Sequence, residues 1–123
     1  MLFLLVSRRA QALKDFTDGL ADGGEVLIAP TPADGVELAR TRKPDLVVVD
    51  HDLAGDGPGE GPLSLVMDLL AVNAMINTAV VSPLSDEEFH EWSEGLGILA
   101  RVSMEPGRAE GEELAGRLRD LLG

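Results

Sequence analysis

Five short apolar runs, separated by stretches with helical spacing, constrain the fold of this chain more than any other feature. The runs cover residues 2–6, 25–29, 45–49, 78–82 and 98–103. Strands that are apolar throughout are buried on both faces, and strands that alternate with helices pair in parallel. The sequence therefore predicts an α/β fold, a doubly wound (βα)5 three-layer sandwich built around a five-stranded parallel sheet.

Capping residues and apolar spacing predict the helices between these strands. Thr31 before Pro32, and Ser85 before three acids, are residue types that begin helices. In the fourth helix, Phe89 and Trp92 are expected to lie in the core. The third and fifth helices have broad apolar faces that we expect to be buried. These faces comprise Leu63, Val66, Met67, Leu70, Ala71 and Ala74 in the third helix, and Leu114, Leu118, Leu121 and Leu122 in the fifth.

The charge of the chain restricts its partners. It has 22 acidic and 10 basic residues, a formal net charge of −12, and such a field repels nucleic acid and anionic membranes. The apolar runs are far shorter than a membrane span, and a chain without cysteine has neither disulfides nor thiolate chemistry. We expect one soluble, cytoplasmic domain that covers residues 1–123.

Several residues, nearly all of them polar, fall at the carboxyl ends of the predicted strands, where ligands and chemistry collect in open parallel sheets. They are Ser7, Arg8, Asp50, His51, Asp52, Ser82, Glu105 and Pro106. We expect His51 to point away from Asp50, because neighbouring strand residues face opposite sides. The glycine-rich stretch 55–61 matches no phosphate-binding motif and is expected to be a lengthened connection.

The stretch 34–50, which ends in Lys-Pro-Asp-Leu-Val-Val-Val-Asp, resembles the response-regulator receiver (CheY-like) domains of two-component signalling, whose fold is flavodoxin-like. In that family, the aspartate that ends this run accepts a phosphoryl group from a histidine kinase, which gives Asp50 the phosphoacceptor position. Ser82 matches the family's Thr or Ser after the fourth strand, and Pro106 matches its proline after the fifth. The order of the elements agrees along the whole chain.

Three residues depart from the family pattern and remove charges that phosphoryl transfer needs. Receiver domains have an acidic pair after the first strand, which binds Mg²⁺ with the phosphoacceptor, and a lysine before the proline. Here Ser7, Arg8 and Glu105 occupy those positions. Because a hard divalent cation needs several oxygen ligands and phosphoryl transfer needs cationic charge, we expect no Mg²⁺, no other cofactor and no efficient phosphorylation of Asp50. We consider two positions for Arg8: bridging Asp50 and Glu105 with its forked donors, or pointing to solvent.

The resemblance implies an atypical bacterial receiver, or pseudo-receiver, without enzymatic activity, that acts in a two-component or phosphorelay system by protein–protein contact. Its expected partners are a histidine kinase, an output protein, or a second copy through the face of the fourth helix, fifth strand and fifth helix. Trp92 becomes the interface anchor on that face if it is exposed. Two alternatives stay open: a working phosphoacceptor in which Asp52 or Asp56 supports Asp50, and a flavodoxin-like domain that binds a small ligand.

Overall fold

The computed structural model describes residues 1–51 and 62–123, in which five strands form one sheet. The strands are β1 (Leu2–Val6), β2 (Glu25–Ala29), β3 (Leu46–Asp50), β4 (Asn77–Val81) and β5 (Ala100–Val102), and the helices are α1 (Lys14–Ala21), α2 (Pro32–Arg42), α3 (Pro62–Val72), α4 (Asp86–Trp92) and α5 (Arg108–Leu122). The strand order is β2-β1-β3-β4-β5, and each neighbouring pair is parallel. The predicted α/β architecture is confirmed.

Alternate residues of the central strands pack into two separate cores. On β1, Phe3 and Leu5 belong to the core that residues of α1 and α5 share, whereas Leu4 and Val6 belong to the core that residues of α2, α3 and α4 share. All four side chains are fully buried, and complete burial of such a side chain contributes about 1.5–3 kcal/mol. A shift of one residue would exchange these side chains between the two cores, and in the observed register all neighbouring strands run parallel. The carboxyl ends of the strands therefore meet at one edge.

Two predicted helix starts are confirmed by their caps. The Thr31 hydroxyl accepts a hydrogen bond from the Asp34 amide at 3.1 Å, and Pro32 occupies the first turn of α2. The Ser85 hydroxyl accepts from the Glu88 amide at 3.1 Å, while the Glu88 carboxylate accepts from the Ser85 amide at 3.1 Å. This reciprocal capping box satisfies backbone donors that a helix start leaves open.

The buried faces of three helices differ from the prediction. In α3, the buried residues are Leu65, Val66 and Leu69, whereas Met67 is 59% exposed. Ala71, and Ala74 just after the helix, are also exposed. Almost every residue of α3 is apolar, so apolar spacing could not select one face. In α5, Leu114 and Leu118 are buried, but Leu121 and Leu122 in the last turn are exposed. In α4, Phe89 is buried as predicted, while Trp92 is 40% exposed.

Helices α1 and α5 meet backbone to backbone at two buried glycines. A Cβ atom on Gly19 would overlap the carbonyl oxygen of Arg108, and one on Gly111 would overlap that of Phe16. At the same junction, the Arg108 guanidinium donates to Asp22 at 2.7 Å. This close contact positions α5, and with it the β5–α5 turn beside the strand ends. No helix in the described ranges is long and apolar enough to span a bilayer.

Candidate functional site

Asp50 ends β3 at the carboxyl edge of the sheet, and its side chain is completely buried. Val6 of β1 lies level with Val49 of β3, so the next residue along β1, Ser7, comes beside Asp50. The Ser7 hydroxyl donates a hydrogen bond to Asp50 Oδ2 at 2.7 Å. The same Ser7 oxygen accepts from the Arg9 amide at 3.0 Å. Ser7 thus connects the carboxylate to the segment that follows β1.

The guanidinium of Arg9 binds both oxygens of the Asp50 carboxylate. Its Nε donates to Oδ2 at 2.8 Å and its Nη2 donates to Oδ1 at 3.0 Å. The same Nη2 also donates to the Met104 carbonyl at 3.2 Å, just beyond β5. A planar fork of donors fits a carboxylate in this two-bond geometry, which Lys cannot provide. Arg9 therefore connects three strand ends through one charged group.

These contacts set the ionisation of Asp50. Burial raises the pKa of Asp50, but hydrogen bonds from Arg9, Ser7 and His51, together with the charge of Arg9, outweigh burial and hold the pKa below its usual value. Asp50 is consequently an anion at neutral pH. Arg9 contacts both of its oxygens with one guanidinium.

His51 also contacts Asp50, contrary to the prediction that it would point away. Its Nδ1 lies 3.1 Å from Asp50 Oδ1. Because an ionised carboxylate only accepts hydrogen bonds, Nδ1 is the donor. The prediction was wrong because β3 ends at Asp50 and His51 begins a turn, where the alternation of strand side chains no longer applies.

Of the two positions considered for Arg8, the bridge between Asp50 and Glu105 is not formed among the described residues. Arg8 and Glu105 are exposed, and the guanidinium that binds Asp50 belongs to Arg9. Arg9 precedes a 3₁₀ turn at Ala10–Leu13 and has φ −124° and ψ 41°. This local bend turns the second arginine, rather than the first, toward the carboxylate. The sequence shows two adjacent arginines at the right place but gives no signal that separates them.

The other predicted site residues are divided between the pocket and its surroundings. Ser82 is buried one residue beyond Val81, which lies level with Asp50, but its hydroxyl accepts from the Leu84 amide at 3.2 Å. Pro106 is buried. Asp52, Asp56 and the glycine-rich stretch 55–61 lie outside the described residues.

A second arginine, which the sequence prediction missed, connects β5 to the start of α4. Arg101 Nε donates to Asp86 Oδ1 at 2.8 Å, and its Nη1 donates to the Ser82 carbonyl at 3.3 Å. Two guanidinium groups, on Arg9 and Arg101, therefore join strand ends at the carboxyl edge of the sheet.

The described residues do not fit a Mg²⁺ ion. Within residues 1–51 and 62–123, no group of three or more acidic, histidine or cysteine side chains is placed to hold a metal. The Asp50 oxygens, which would be the first ligands, already accept hydrogen bonds from Arg9, Ser7 and His51. A guanidinium at this position repels a divalent cation, so an ion could bind only by displacing Arg9.

Several solved structures have the same fold. The receiver domain of a Francisella response regulator is 16% identical, with a TM-score of 0.79 over 99% of this chain and 98% of that chain. A CheY-like receiver domain protein from Methanospirillum hungatei is 19% identical, with a TM-score of 0.77 over 97% and 94%. The N-terminal domain of an uncharacterized protein from Wolinella succinogenes is 18% identical, with a TM-score of 0.75 over 99% and 96%.

No protein-family model and no curated protein sequence matches the chain. The structural similarity nevertheless extends over nearly the whole length of each receiver domain compared. It agrees with the five-stranded parallel sheet and its strand order. The resemblance that the sequence suggested is thus confirmed for the fold, and the chain has the fold of the response-regulator receiver domains.

Proposed function

We propose that this protein is a receiver-like signalling module that acts by protein–protein contact, without Mg²⁺-dependent phosphorylation of Asp50. One observation carries the proposal: the Arg9 guanidinium binds both oxygens of the buried Asp50 carboxylate. Its partners are signalling proteins, a histidine kinase or an output protein, or a second copy of the chain.

The chemistry of phosphoryl transfer supports this assignment. A carboxylate that attacks phosphorus needs a free lone pair directed at the phosphoryl group, and it needs cations that neutralise the equatorial oxygens. Both Asp50 oxygens are occupied by Arg9, and Ser7 supplies a hydroxyl where receiver domains supply an acidic ligand. Removing Arg9 from Asp50 would leave a buried anion without its cation, which is costly. The pocket therefore opposes both the metal and the reaction.

Mass spectrometry of the intact protein tests the proposal. The full chain is incubated with acetyl phosphate and Mg²⁺, and a receiver domain that retains the acidic pair and the lysine is treated in parallel as the positive control. We expect the control to gain the mass of a phosphoryl group and this protein to gain none. Asp50→Asn is the matched variant: it removes the nucleophile together with the charge that Arg9 binds, so circular dichroism is used to check that it is folded.

A phosphoryl adduct on the wild-type chain that is missing from Asp50→Asn would contradict the proposal. It would instead support the alternative in which Asp50 is a working phosphoacceptor. An adduct present on both proteins would lie at another residue and would leave Asp50 unmodified, as proposed.

A further inference from the structure

Helix α3 has an exposed surface that is almost without charge. Its exposed residues are Met67, Asp68, Ala71 and Val72, and only Asp68 is charged. In α5, by contrast, several charged side chains are exposed: Arg108, Glu112, Glu113, Arg117, Arg119 and Asp120. Residues 62–85, which include α3, contain one of the chain's 22 acidic residues and none of its 10 basic residues. Apolar side chains, rather than charges, thus define the exposed surface of α3.

Two of these apolar residues share the side of α3 that is turned away from the core. Met67, which is 59% exposed, and Ala71 are four residues apart, and residues at this spacing lie on the same side of a helix. The buried residues of α3, Leu65, Val66 and Leu69, join the core beneath the helix. A helix that is apolar nearly all round is normally buried all round. Because the outer side of α3 is exposed among the described residues, its composition indicates a partner.

Met75 extends the apolar surface beyond the end of the helix. Its side chain is 84% exposed, and its amide donates a hydrogen bond to Asn73 Oδ1 at 3.0 Å. The next residue, Ile76, is buried, and its amide donates to the Asn73 carbonyl at 3.1 Å. This turn is therefore attached to the core and holds Met75 in an exposed position. Of the seven large apolar side chains that are exposed in the described ranges, three lie between positions 67 and 75.

The distribution of charge indicates which partner covers this surface. A charged partner finds only Asp68 on the exposed side of α3. An anionic membrane attracts basic segments, but α3 has no basic residue and the chain has a net charge of −12. A second copy has a surface of the same size and the same lack of charge. Contact through α3 also brings together the part of each copy that has the fewest acids, which keeps repulsion between the copies low.

We propose that Met67, Ala71 and Met75, here called the apolar α3 face, form a two-fold symmetric contact with the same face of a second copy of this chain. The small Ala71 side chain lets two helices approach closely, and methionine side chains are flexible enough to fill the space beside it. A two-fold contact uses the same surface on both copies, so one face is sufficient. The inference rests on the proposed function, in which a second copy is one of the partners, and it names the surface that this partner binds.

The size of the face determines the strength of this contact. Helix α3 has 11 residues and is about 16 Å long, so two such helices bury much less than the roughly 1,600 Å² of a stable complex. We expect a weak dimer with a dissociation constant of about 0.1 mM. In sedimentation velocity experiments on the full chain between about 0.01 and 1 mM, the sedimentation coefficient should rise with concentration. A chain that stays monomeric over this range would overturn the proposal.

Two double variants with the same change of charge locate the contact. Met67→Lys with Met75→Lys should weaken the dimer about tenfold or more, because the contact would have to bury unpaired charges. Leu121→Lys with Leu122→Lys, at side chains of α5 that are 56% and 52% exposed, should not weaken it. Circular dichroism checks that both are folded, and Met75→Lys alone, outside the helix, should still weaken the dimer. Equal losses in the two double variants, or a loss in the α5 variant alone, would contradict the apolar α3 face.

Salt and lipid vesicles distinguish this contact from other causes of association. Two copies with a net charge of −12 repel each other, so raising NaCl from about 0.01 M to about 0.15 M should strengthen the dimer several-fold. A dimer that weakens with salt would be held by ion pairs and would refute the proposal. Cosedimentation with phosphatidylcholine vesicles should show no binding, and binding that Met67→Lys with Met75→Lys abolishes would assign the face to a membrane instead. None of these results alters the acetyl phosphate experiment, so the proposed function stands or fails separately.

Discussion

Arg8 and Arg9 are neighbours in the chain, but their surroundings differ completely. Arg9 binds a buried carboxylate and a backbone carbonyl, whereas Arg8 is exposed. Removing one partner of a buried ion pair leaves the other charge without compensation, which typically costs about 3–5 kcal/mol. Surface ion pairs contribute about 0–1 kcal/mol. The two arginines therefore form a matched pair for substitution.

We predict that Arg9→Gln lowers the free energy of unfolding at pH 7 by about 3 kcal/mol, the lower end of that range because Arg9 is partly exposed. Arg8→Gln should lower it by no more than about 1 kcal/mol. Urea unfolding followed by circular dichroism measures both. Similar losses for the two variants would contradict the assignment of the ion pair to Arg9.

The ion pair between Arg9 and Asp50 makes the stability of the protein depend on pH. The pKa of Asp50 is lowered in the folded state, so its contribution is complete above the unfolded pKa of about 3.9 and is lost as pH falls through the folded pKa. The difference in the free energy of unfolding between wild type and Arg9→Gln should therefore become smaller below about pH 4. Repeating the urea series from neutral to acid pH checks this, and a constant gap would show that Asp50 is not the partner.

At the scale of elements, the contact between α1 and α5 depends on two glycines. Gly111 and Gly19 leave no room for a Cβ atom, while a Cβ on Gly116, in the same helix, would meet nothing within 4 Å. We predict that Gly111→Ala destabilises the protein by about 1–3 kcal/mol through overpacking. Gly116→Ala should stabilise it by up to about 1 kcal/mol, because alanine favours helix.

Thermal unfolding of the two alanine variants measures the difference in sign. If Gly111→Ala were as stable as Gly116→Ala, the two helices would have to be further apart than described. The sequence did not predict this contact, because a glycine inside a helix can reflect close packing, a helix end or neither. Only the position of the opposite backbone separates these cases.

Element by element, the sequence predicted more about strands and caps than about helix faces. The bounds of β1 and β2 agree residue for residue with the predicted runs, because strands buried on both faces are apolar throughout. The predicted buried side of α3 was wrong, because an almost wholly apolar helix has no polar face that shows which side is exposed. Trp92 was assigned to the core by its spacing from Phe89, but α4 ends at Trp92 and only one residue faces inward.

The whole molecule has an excess of negative charge that its ion pairs do not cancel. Its formal net charge is −12, and charges of one sign repel each other more in the compact state than in the unfolded chain. Salt shortens the reach of this repulsion from about 30 Å at 0.01 M to about 8 Å at 0.15 M. Exposed pairs such as Lys14–Asp18 lose strength too, but each contributes little.

We therefore predict that the melting temperature at pH 7 rises when NaCl is increased from about 0.01 M to about 0.15 M. The rise should be smaller for Asp15→Lys with Asp120→Lys, since each substitution raises the net charge by two. Scanning calorimetry at the two salt concentrations measures both proteins. A melting temperature that falls with salt would show that ion pairs, rather than net repulsion, dominate the electrostatics.

For the candidate site, the sequence predicted the place and the sign of the charges but not the connections. Asp50, Ser7 and Arg8 were assigned to one sheet edge because parallel strands end together, but the arginine on Asp50 is Arg9. Which arginine reaches Asp50, and the contact with the Met104 carbonyl, depend on a 3₁₀ turn and on backbone groups. The positions of backbone groups and of a short turn cannot be predicted from the pattern of residue types.

The ion pair between Arg9 and Asp50 affects how long a signalling state of this protein would last. An acyl phosphate hydrolyses, so the phosphorylated state of a receiver has a limited lifetime and the unphosphorylated state returns. The Arg9–Asp50 ion pair has no bond that hydrolyses. Under the proposed function, the site would therefore keep one state for as long as the protein is folded. Under the proposed function, the cell would end such a signal by changing how many copies exist or which of them a competitor occupies.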